Sequence, residues 1–334
     1  MRLSELVGNN VWIIAEVGIN HEGCIETCKK LIKVAAEAGA NAVKLQTINP
    51  DLNYSTETES YKVFSEAKLT LSQTSYAFEY ARKLGVEPFT TIGDIPTLRE
   101  IQKINPQCYK VSSGLLTCAP LIDEIVKLGK PVIFSTGMTD LQATREALDP
   151  IIKQTKDFVA LLHCVSLYPP KIHELNLSQI NLLKQEFSCV TGYSDHSGMP
   201  NIASEAVLAG AKIIECHITL NKHRLGFDHK VSLNPTEFKE MVLGVRNAER
   251  LLGSPEIVRS PEVQKTGLKM GRYLATIKAV KKGDYLSLEN VGFLRFENPV
   301  GLVPAKHFSQ LLNNKFSRDL AAFCPVVPED LSNA

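Results

Sequence analysis

What the chain lacks narrows its possibilities first. It has no surplus of either charge: 37 Lys and Arg stand against 36 Asp and Glu, a formal net charge of +1. No global field draws it to nucleic acid or an anionic membrane, so no nucleic-acid and no membrane partner is expected. No apolar run approaches the roughly 18 residues of a membrane-crossing helix. Residues Met1 to Asn10 lack the basic-then-apolar layout of a signal peptide, which predicts a cytoplasmic protein. The eight cysteines are scattered, and no second pair accompanies Cys24 and Cys28. Free thiols are therefore expected rather than a zinc or disulfide framework. No G-x-G-x-x-G follows any apolar run, which removes the usual signature of a dinucleotide-binding sheet.

The stretch Val11 to Thr47 carries the clearest pattern. Val11 to Val17 is short, apolar and β-branched, as a buried parallel strand should be. It stops at Gly18, and the polar cluster Asn20-His21-Glu22-Gly23 follows. From Cys24 to Ala38 apolar residues recur at helical spacing, and Gly39 supplies the stop. A second strand, Ala42 to Leu45, carries Lys44 and runs out through Gln46 and Thr47. Such a β-α-β unit leaves two polar clusters past the carboxyl ends of adjacent strands, where α/β barrels keep their chemistry.

The same rhythm continues. The segment Asn49 to Thr70 reads as a long loop with room for a short helix, and Ser72 reads as the N-cap of the helix to Leu84. Further strands are predicted over Val86 to Thr91, Cys108 to Ser112, Pro131 to Ser135, Phe158 to Cys164, Cys189 to Tyr193 and Ala211 to His217, each followed by a helical pattern. Eight alternations over about 250 residues predict a TIM (β/α)8 barrel. The barrel is assigned to 1–252, a polar linker to 253–271, and a small β-rich module to 272–334, with short strands over Tyr273 to Ala279, Tyr285 to Leu288, Phe293 to Arg295 and Ser317 to Ala321.

Polar residues mark the strand exits. Glu22, beside His21, reads as a general acid/base or a group that positions water. Lys44 and Lys110 lie inside apolar strands, where an amine is costly to bury unless an anion matches it. Glu16 or Glu215 could pair with one of them. With hydroxyls at several exits (Ser112, Ser113, Ser135, Ser166, Ser194), the pattern favours a bound small polyanion as the match for both. Near the last strand His217, His223 and His229 follow at equal spacing, with Glu215 and Asp228 nearby. His217 and His229 read as a divalent-metal pair, and His223, between Lys222 and Arg224, as solvated.

In these residues the chain resembles the N-acylneuraminate (sialic acid) synthase family. The matching stretches are I-A-E-V-G-I-N-H-E-G, A-G-A-N-A-V-K-L-Q-T, Y-K-V-S-S-G, S-T-G-M, L-L-H-C-V-S-L-Y-P, G-Y-S-D-H-S, I-I-E-C-H-I-T-L and F-D-H-K-V-S-L-N-P, with R-Y-L-A-T-I-K-A-V-K-K-G-D resembling the family's antifreeze-like (SAF) domain. Together they run through nearly the whole chain in order. The resemblance implies condensation of phosphoenolpyruvate with N-acetylmannosamine or a related acylamino hexose to give a nine-carbon 2-keto sugar acid and phosphate. It implies Glu22 as the catalytic glutamate. It implies Lys44, Thr91, Lys110, Ser113, Ser135, Ser166 and Ser194 around phosphoenolpyruvate, and Gln46, Tyr168 and Asp228 on the sugar. It implies His217 and His229 on a divalent metal, Mn2+ most commonly, with Mg2+ or Co2+ as alternatives. It implies Arg295 reaching the sugar from a partner subunit in a domain-swapped homodimer. The chain departs from the family at Leu115, where an acidic sugar contact is usual, at F-L-R-F-E-N-P, where K-R-P-G is usual, and in lacking a late K-G-E/D turn. A 3-deoxy-ulosonate phosphate synthase, a Schiff-base aldolase using Lys110, and a non-catalytic sugar-binding barrel stand as alternatives.

Overall fold

The computed structural model describes residues 3–333. Contacts divide the chain into two compact units, 1–253 and 254–334. The first is a closed barrel of eight parallel strands paired in sequence order. They are β1 (Trp12–Gly18), β2 (Ala42–Thr47), β3 (Glu87–Ile92), β4 (Tyr109–Val111), β5 (Val132–Ser135), β6 (Val159–Cys164), β7 (Val190–Asp195) and β8 (Ile213–His217). Pairing of β8 with β1 closes the ring. The expected TIM barrel is the observed fold.

Local sequence accounts for the surrounding helices. In Ile25–Ala38, residues Cys28, Leu31, Ile32 and Ala35 form the buried stripe. Gly39 ends that helix at φ 95°, its N–H reaching back to Ala35 and Ala36 carbonyls. The helix at Leu71–Lys83 begins one residue before the predicted Ser72 cap. Thr70 is its cap, forming a capping box with Gln73, the stronger signature of the two. Asp94 caps Ile95–Gln102, and Asn234 boxes with Glu237 to start Pro235–Leu252. The long loop after β2 contains two short helices, Pro50–Asn53 and Glu59–Ala67. Among the described residues no helix is long and apolar enough to cross a membrane.

Strand periodicity decides what faces inward. Trp12, Ile14, Ala42, Phe89, Cys108, Ile133, Ala160, Leu162 and Ile213 fill the lower interior of the barrel as one apolar cluster. Leu3 and Val7, from the helix Leu3–Val7, join it. Two positions further along β1, β2, β4 and β8, the same inward rows carry Glu16, Lys44, Lys110 and Glu215, all buried. The interior therefore changes from hydrocarbon to charge about two residues before the strands end.

The second unit has its own core, built from Leu274, Leu286, Val291, Val303, Phe316 and Val326 among others. Strands β9 (Tyr273–Thr276) and β10 (Val291–Leu294) pair antiparallel, as do β11 (Lys315–Phe316) and β12 (Leu331–Ser332). Two predicted strands are reduced to single bridges, Tyr285 with Lys315 and Val280 with Leu320. The stretch 253–271, assigned as linker, contains a helix, Pro261–Met270, capped by Ser260. Its residues are polar enough to look like linker because none of them is buried.

Gly192 offers a sharp test of the barrel's closure. It sits opposite Ile213 in the β7–β8 register, and an added Cβ would lie 2.3 Å from the Ile213 carbonyl oxygen and 2.7 Å from Leu162 Cδ2. Backbone cannot step aside as a flexible side chain can. Gly192→Ala is expected to lose about 2 kcal/mol or more of stability, read as a lower urea midpoint at unchanged m-value. A wild-type midpoint would show that β7 and β8 are less tightly apposed.

Candidate active site

Register brings the charged rows together. Glu16 lies opposite Lys44 on one side and His217 on the other, and Ser194 lies opposite Glu215. Lys44 Nζ stands 2.8 Å from Glu16 Oε1 and 3.7 Å from Glu215 Oε1, and donates to Thr91 Oγ1 at 3.1 Å. Lys110 Nζ stands 3.4 Å from Glu215 Oε1. Ser194 donates to the same oxygen at 2.9 Å, and Gln46 Nε2 donates to Glu16 Oε1 at 2.7 Å. The expectation that an anionic ligand alone matches the lysines is thus corrected: both amines have carboxylate partners. The physical reason is strand alternation, which turns Glu16 and Glu215 inward on the rows that carry the lysines.

The two amines are not equivalent. Burial works to lower the pKa of Lys44, but Glu16 and Glu215 outweigh it and hold the ammonium above its ordinary value. Burial lowers Lys110, with Glu215 opposing. Burial would raise Glu215, but Lys110 and Lys44 carry its pKa down to about 2. An ammonium has three N–H donors. Lys110 uses one, at 3.4 Å, among the described residues. The Ser135 hydroxyl, one strand away, is buried with no partner among the described residues, as are Glu16 Oε2 and Glu215 Oε2. Open donors on Lys110 and Ser135 point to an acceptor-rich ligand. Ser113 accepts from Gly137 N–H at 3.2 Å and meets Cys164 Sγ at 3.2 Å. A Cβ on Gly137 would lie 2.7 Å from Ser166 Oγ, so these hydroxyls crowd the exits of β4, β5 and β6.

Above this layer lies a rim of rings and carboxylates. Tyr168 stacks on His196 with centroids 4.3 Å apart, and both approach His217, at 6.3 Å and 5.5 Å. Glu22, on the exit turn of β1, accepts from His229 Nε2 at 2.9 Å and pairs with Arg224. Asn20 ties this turn to the segment after β8. It donates to Ile218 O and Ser232 Oγ and accepts from Asp228 N–H at 3.1 Å.

Among the described residues no three His, Cys, Asp or Glu side chains form a ready metal cage. Two imidazoles do meet, but they are His196 and His217. His217 Nδ1 is buried without a hydrogen-bond partner, and Asp228 Oδ2 stands 3.5 Å from it. His196 Nδ1 lies 2.8 Å from the Val165 carbonyl, which can only accept. Its Nε2 therefore bears the lone pair and accepts from the Tyr168 hydroxyl at 3.3 Å. An open imidazole nitrogen beside a carboxylate, His217 and Asp228, fits a first-row divalent ion. His229 has both nitrogens engaged, Nδ1 with Thr219 at 2.8 Å and Nε2 with Glu22. His223 stays on the exposed side of its loop.

Of the residues singled out by sequence, Glu22, Lys44, Gln46, Thr91, Lys110, Ser113, Ser135, Ser166, Tyr168, Ser194, His217, Asp228 and His229 all lie at the exits of this one barrel. Arg295 lies in the second unit and donates to Met270 Sδ at 3.8 Å. Sequence reasoning gave no role to His196 or Asn20, and weighed Glu16 and Glu215 only as lysine partners. Inward periodicity along β1 and β8 was the signal for the two glutamates.

A family model described as the NeuB family matches residues 31–256. The chain is 35% identical to a pseudaminic acid synthase of Campylobacter jejuni over 93% of each protein. It is 31% identical to an N,N'-diacetyllegionaminic acid synthase of the same species, over 89% of this chain and 97% of that one. Among solved structures, an N-acetylneuraminic acid (sialic acid) synthetase from Leptospira borgpetersenii, in complex with citrate, is 31% identical. It superposes with a TM-score of 0.74, over 77% of this chain and 90% of that one.

His21 gives the site a pH signature. Burial lowers its pKa from 6.5 to about 4, against a smaller opposing hydrogen bond to the Gly18 backbone. The unfolded imidazole binds a proton below about 6.5, whereas the folded one waits until about 4. The unfolded state therefore holds more protons in this window, and stability falls as pH falls through it, by an amount on the order of 3 kcal/mol. Nδ1 of His21 accepts from Gly23 N–H at 3.1 Å, a bond that an Asn side chain can imitate. His21→Asn is expected to flatten the loss of urea stability between pH 6.5 and pH 4. An unchanged slope would assign that loss to other groups.

Proposed function

The chain belongs to the NeuB family and is a sialic acid synthase-type enzyme, and we propose that it condenses phosphoenolpyruvate with an acylamino hexose and water. The products are a nine-carbon 2-keto sugar acid and phosphate. The observation that carries this reading is the gathering, in one barrel mouth with Glu22 and His217, of two buried amines and a buried hydroxyl, Ser135, that has no partner among the described residues. Lys110, Lys44 and the serines at the strand exits hold the carboxylate and phosphate of the enol ester. Fixing two partners side by side supplies much of the rate of a carbon–carbon condensation.

His217 and His229, with Asp228 beside His217, would hold a divalent ion, manganese for preference, that supplies Lewis acidity at the sugar's aldehyde oxygen. Gln46, Tyr168 and Asp228 line the sugar's place. C3 of phosphoenolpyruvate forms the new bond to the aldehyde carbon of the open-chain sugar, whose oxygen becomes a hydroxyl. Water adds at C2 and Glu22 accepts its proton. The C2–O bond then breaks, phosphate leaves with the bridging oxygen, and the C2 hydroxyl becomes the ketone.

Relatives named for different sugar acids stand at comparable identity, so the sugar is best identified by a panel. Leu115, without a carboxylate, suits a less polar substituent than the family's acidic residue does. We assign the second unit as the antifreeze-like module, which in a domain-swapped homodimer would lend Arg295 to the partner's site. All eight cysteines are free thiols, which suits the reducing cytoplasm as the place of action.

Phosphate release from phosphoenolpyruvate should appear with a 2-acetamido or 2,4-diacetamido hexose and depend on added manganese. Label in the bridging oxygen of phosphoenolpyruvate should leave in the phosphate. Label kept in the sugar acid would overturn C–O cleavage. Glu22→Gln should retain phosphoenolpyruvate binding and lose about 10²- to 10⁴-fold in kcat. Turnover at the wild-type rate would remove Glu22 from the chemistry.

A further inference from the structure

Asn20 takes no step in the reaction proposed above, yet it is 2% exposed and each polar atom of its amide has a partner. Nδ2 donates to the Ile218 carbonyl at 3.0 Å and to Ser232 Oγ at 2.8 Å. Oδ1 accepts from the Asp228 N–H at 3.1 Å. Ser232, itself fully buried, passes the link on by donating to the Asp228 carbonyl at 2.6 Å. A backbone carbonyl can only accept, so the NH2 of the amide must face Ile218 and its oxygen must face the Asp228 N–H. A carboxylate in this place would meet the Ile218 carbonyl lone pair against lone pair. Two donors and one acceptor on so short a stem are what an asparagine supplies.

We propose that Asn20 is a positioning residue for the divalent-ion site, fixing the turn that carries Asp228 and His229 against the strand end that carries His217. This deepens the reading of those side chains as the ion's place, and rests on it. The contacts of Asn20 fall on both halves of that set. Ile218 follows His217 at the end of β8, and Asp228 leads into the short turn His229–Val231. The chain between the halves cannot hold them in register. Arg224, Leu225 and Gly226 are exposed, Leu225 at 93%. The far end of the turn is tied to β8 by backbone: Leu233 N–H donates to the His217 carbonyl at 2.8 Å, and Thr219 N–H to the Leu233 carbonyl at 3.0 Å. The near end, where the exposed loop returns, is tied through the Asn20 amide instead. That hold leaves Asp228 Oδ2 3.5 Å from His217 Nδ1. Asn20 comes from the exit of β1, so the site is assembled across the β1–β8 seam. Residues that orient ligands without touching the ion commonly govern how tightly it is bound.

The test uses the full-length chain and reads binding rather than turnover. Asn20→Leu keeps the branched shape and removes both donors and the acceptor. It should weaken manganese binding, measured by titration calorimetry, by about 10- to 100-fold. Phosphoenolpyruvate binding to the metal-free enzyme should be unchanged, because Lys44, Lys110 and Ser135 ride on β2, β4 and β5, which Asn20 does not touch. Hydrogen exchange of the metal-free protein should quicken at the Asp228 amide and not along the barrel strands. Ser232→Ala, which cuts the same link from its other side, should give a smaller loss in the same direction. The double variant should lose less than the sum of the two, because both act through one turn. A folded Asn20→Leu protein, by near-ultraviolet circular dichroism, with wild-type manganese affinity would overturn the proposal. So would wild-type exchange at Asp228, or an equal loss of manganese and phosphoenolpyruvate binding, which marks a general loosening. If Asn20→Leu does not fold, Ser232→Ala decides by the same readouts. Failure of the ion reading shows elsewhere, in a wild-type enzyme that binds no manganese.

Discussion

One oxygen, Oε1 of Glu215, is where the interior of this barrel is tied together. Ser194 donates to it at 2.9 Å, Lys110 approaches to 3.4 Å and Lys44 to 3.7 Å. Lys44 in turn bridges to Glu16. Four strands, β1, β2, β4 and β8, are connected through two carboxylates and two amines that water does not reach. A single amine at this depth would be driven neutral by desolvation. Two against two keeps the layer charged and balanced. Removing one member would leave an opposite charge without compensation, at a cost of about 3–5 kcal/mol. Charge balance also sets what the layer can bind. It has no net cation to offer, so an anionic ligand must be received through open donors rather than through excess charge. Lys110 and Ser135 supply those donors. Lys44, between two glutamates and Thr91, is the more committed of the two amines.

The rim obeys a different rule. Tyr168, Glu22 and Arg224 project from turns and loops, and their conformations are imposed by neighbours rather than by a strand ladder. Glu22 adopts a left-handed backbone, Asn20 staples the segment after β8 across the seam, and His196 is fixed through the Val165 carbonyl. Each is a one- or two-bond constraint on an otherwise adaptable element, the opposite of the cross-linked layer beneath.

This difference explains what could be read from sequence. Strand exits were legible because a polar run after a short apolar run has no reason to exist inside a barrel unless it faces the mouth. That logic located Lys44, Lys110, Ser135, Ser194 and Glu22 without coordinates. The partners of the lysines were legible too, at the spacing Ile14 to Glu16 and Ile213 to Glu215, but only if alternation is followed from the apolar layer upward. His196 was hidden for another reason. Equal spacing drew attention to His217, His223 and His229, which lie along one strand and its loop. The imidazole that meets His217 arrives from β7, a neighbour in space and not in sequence. The second unit was less legible because its pairings are short: β11 and β12 have two residues each, and two other pairings are single bridges. A periodic signal needs more length than that.

The separation of a cross-linked floor from an adaptable rim has a consequence for the reaction. In the proposed reaction the constant part of the substrate pair, the three-carbon enol ester, would meet residues carried on strands, whose positions are shared by eight ladders. The acylamino sugar would meet Tyr168 and Asp228, where a substitution or a short insertion moves a side chain without disturbing the barrel. Relatives named for pseudaminic and for diacetyllegionaminic acid are 35% and 31% identical to this chain, over 93% and 89% of it. Leu115 packs against the apolar cluster outside the barrel wall, so on the proposed reading a change of sugar would not need a change in the charged layer. Conversely, a change at Glu215 or Lys110 would be felt by every sugar alike, because it acts on the half of the reaction that the sugars share.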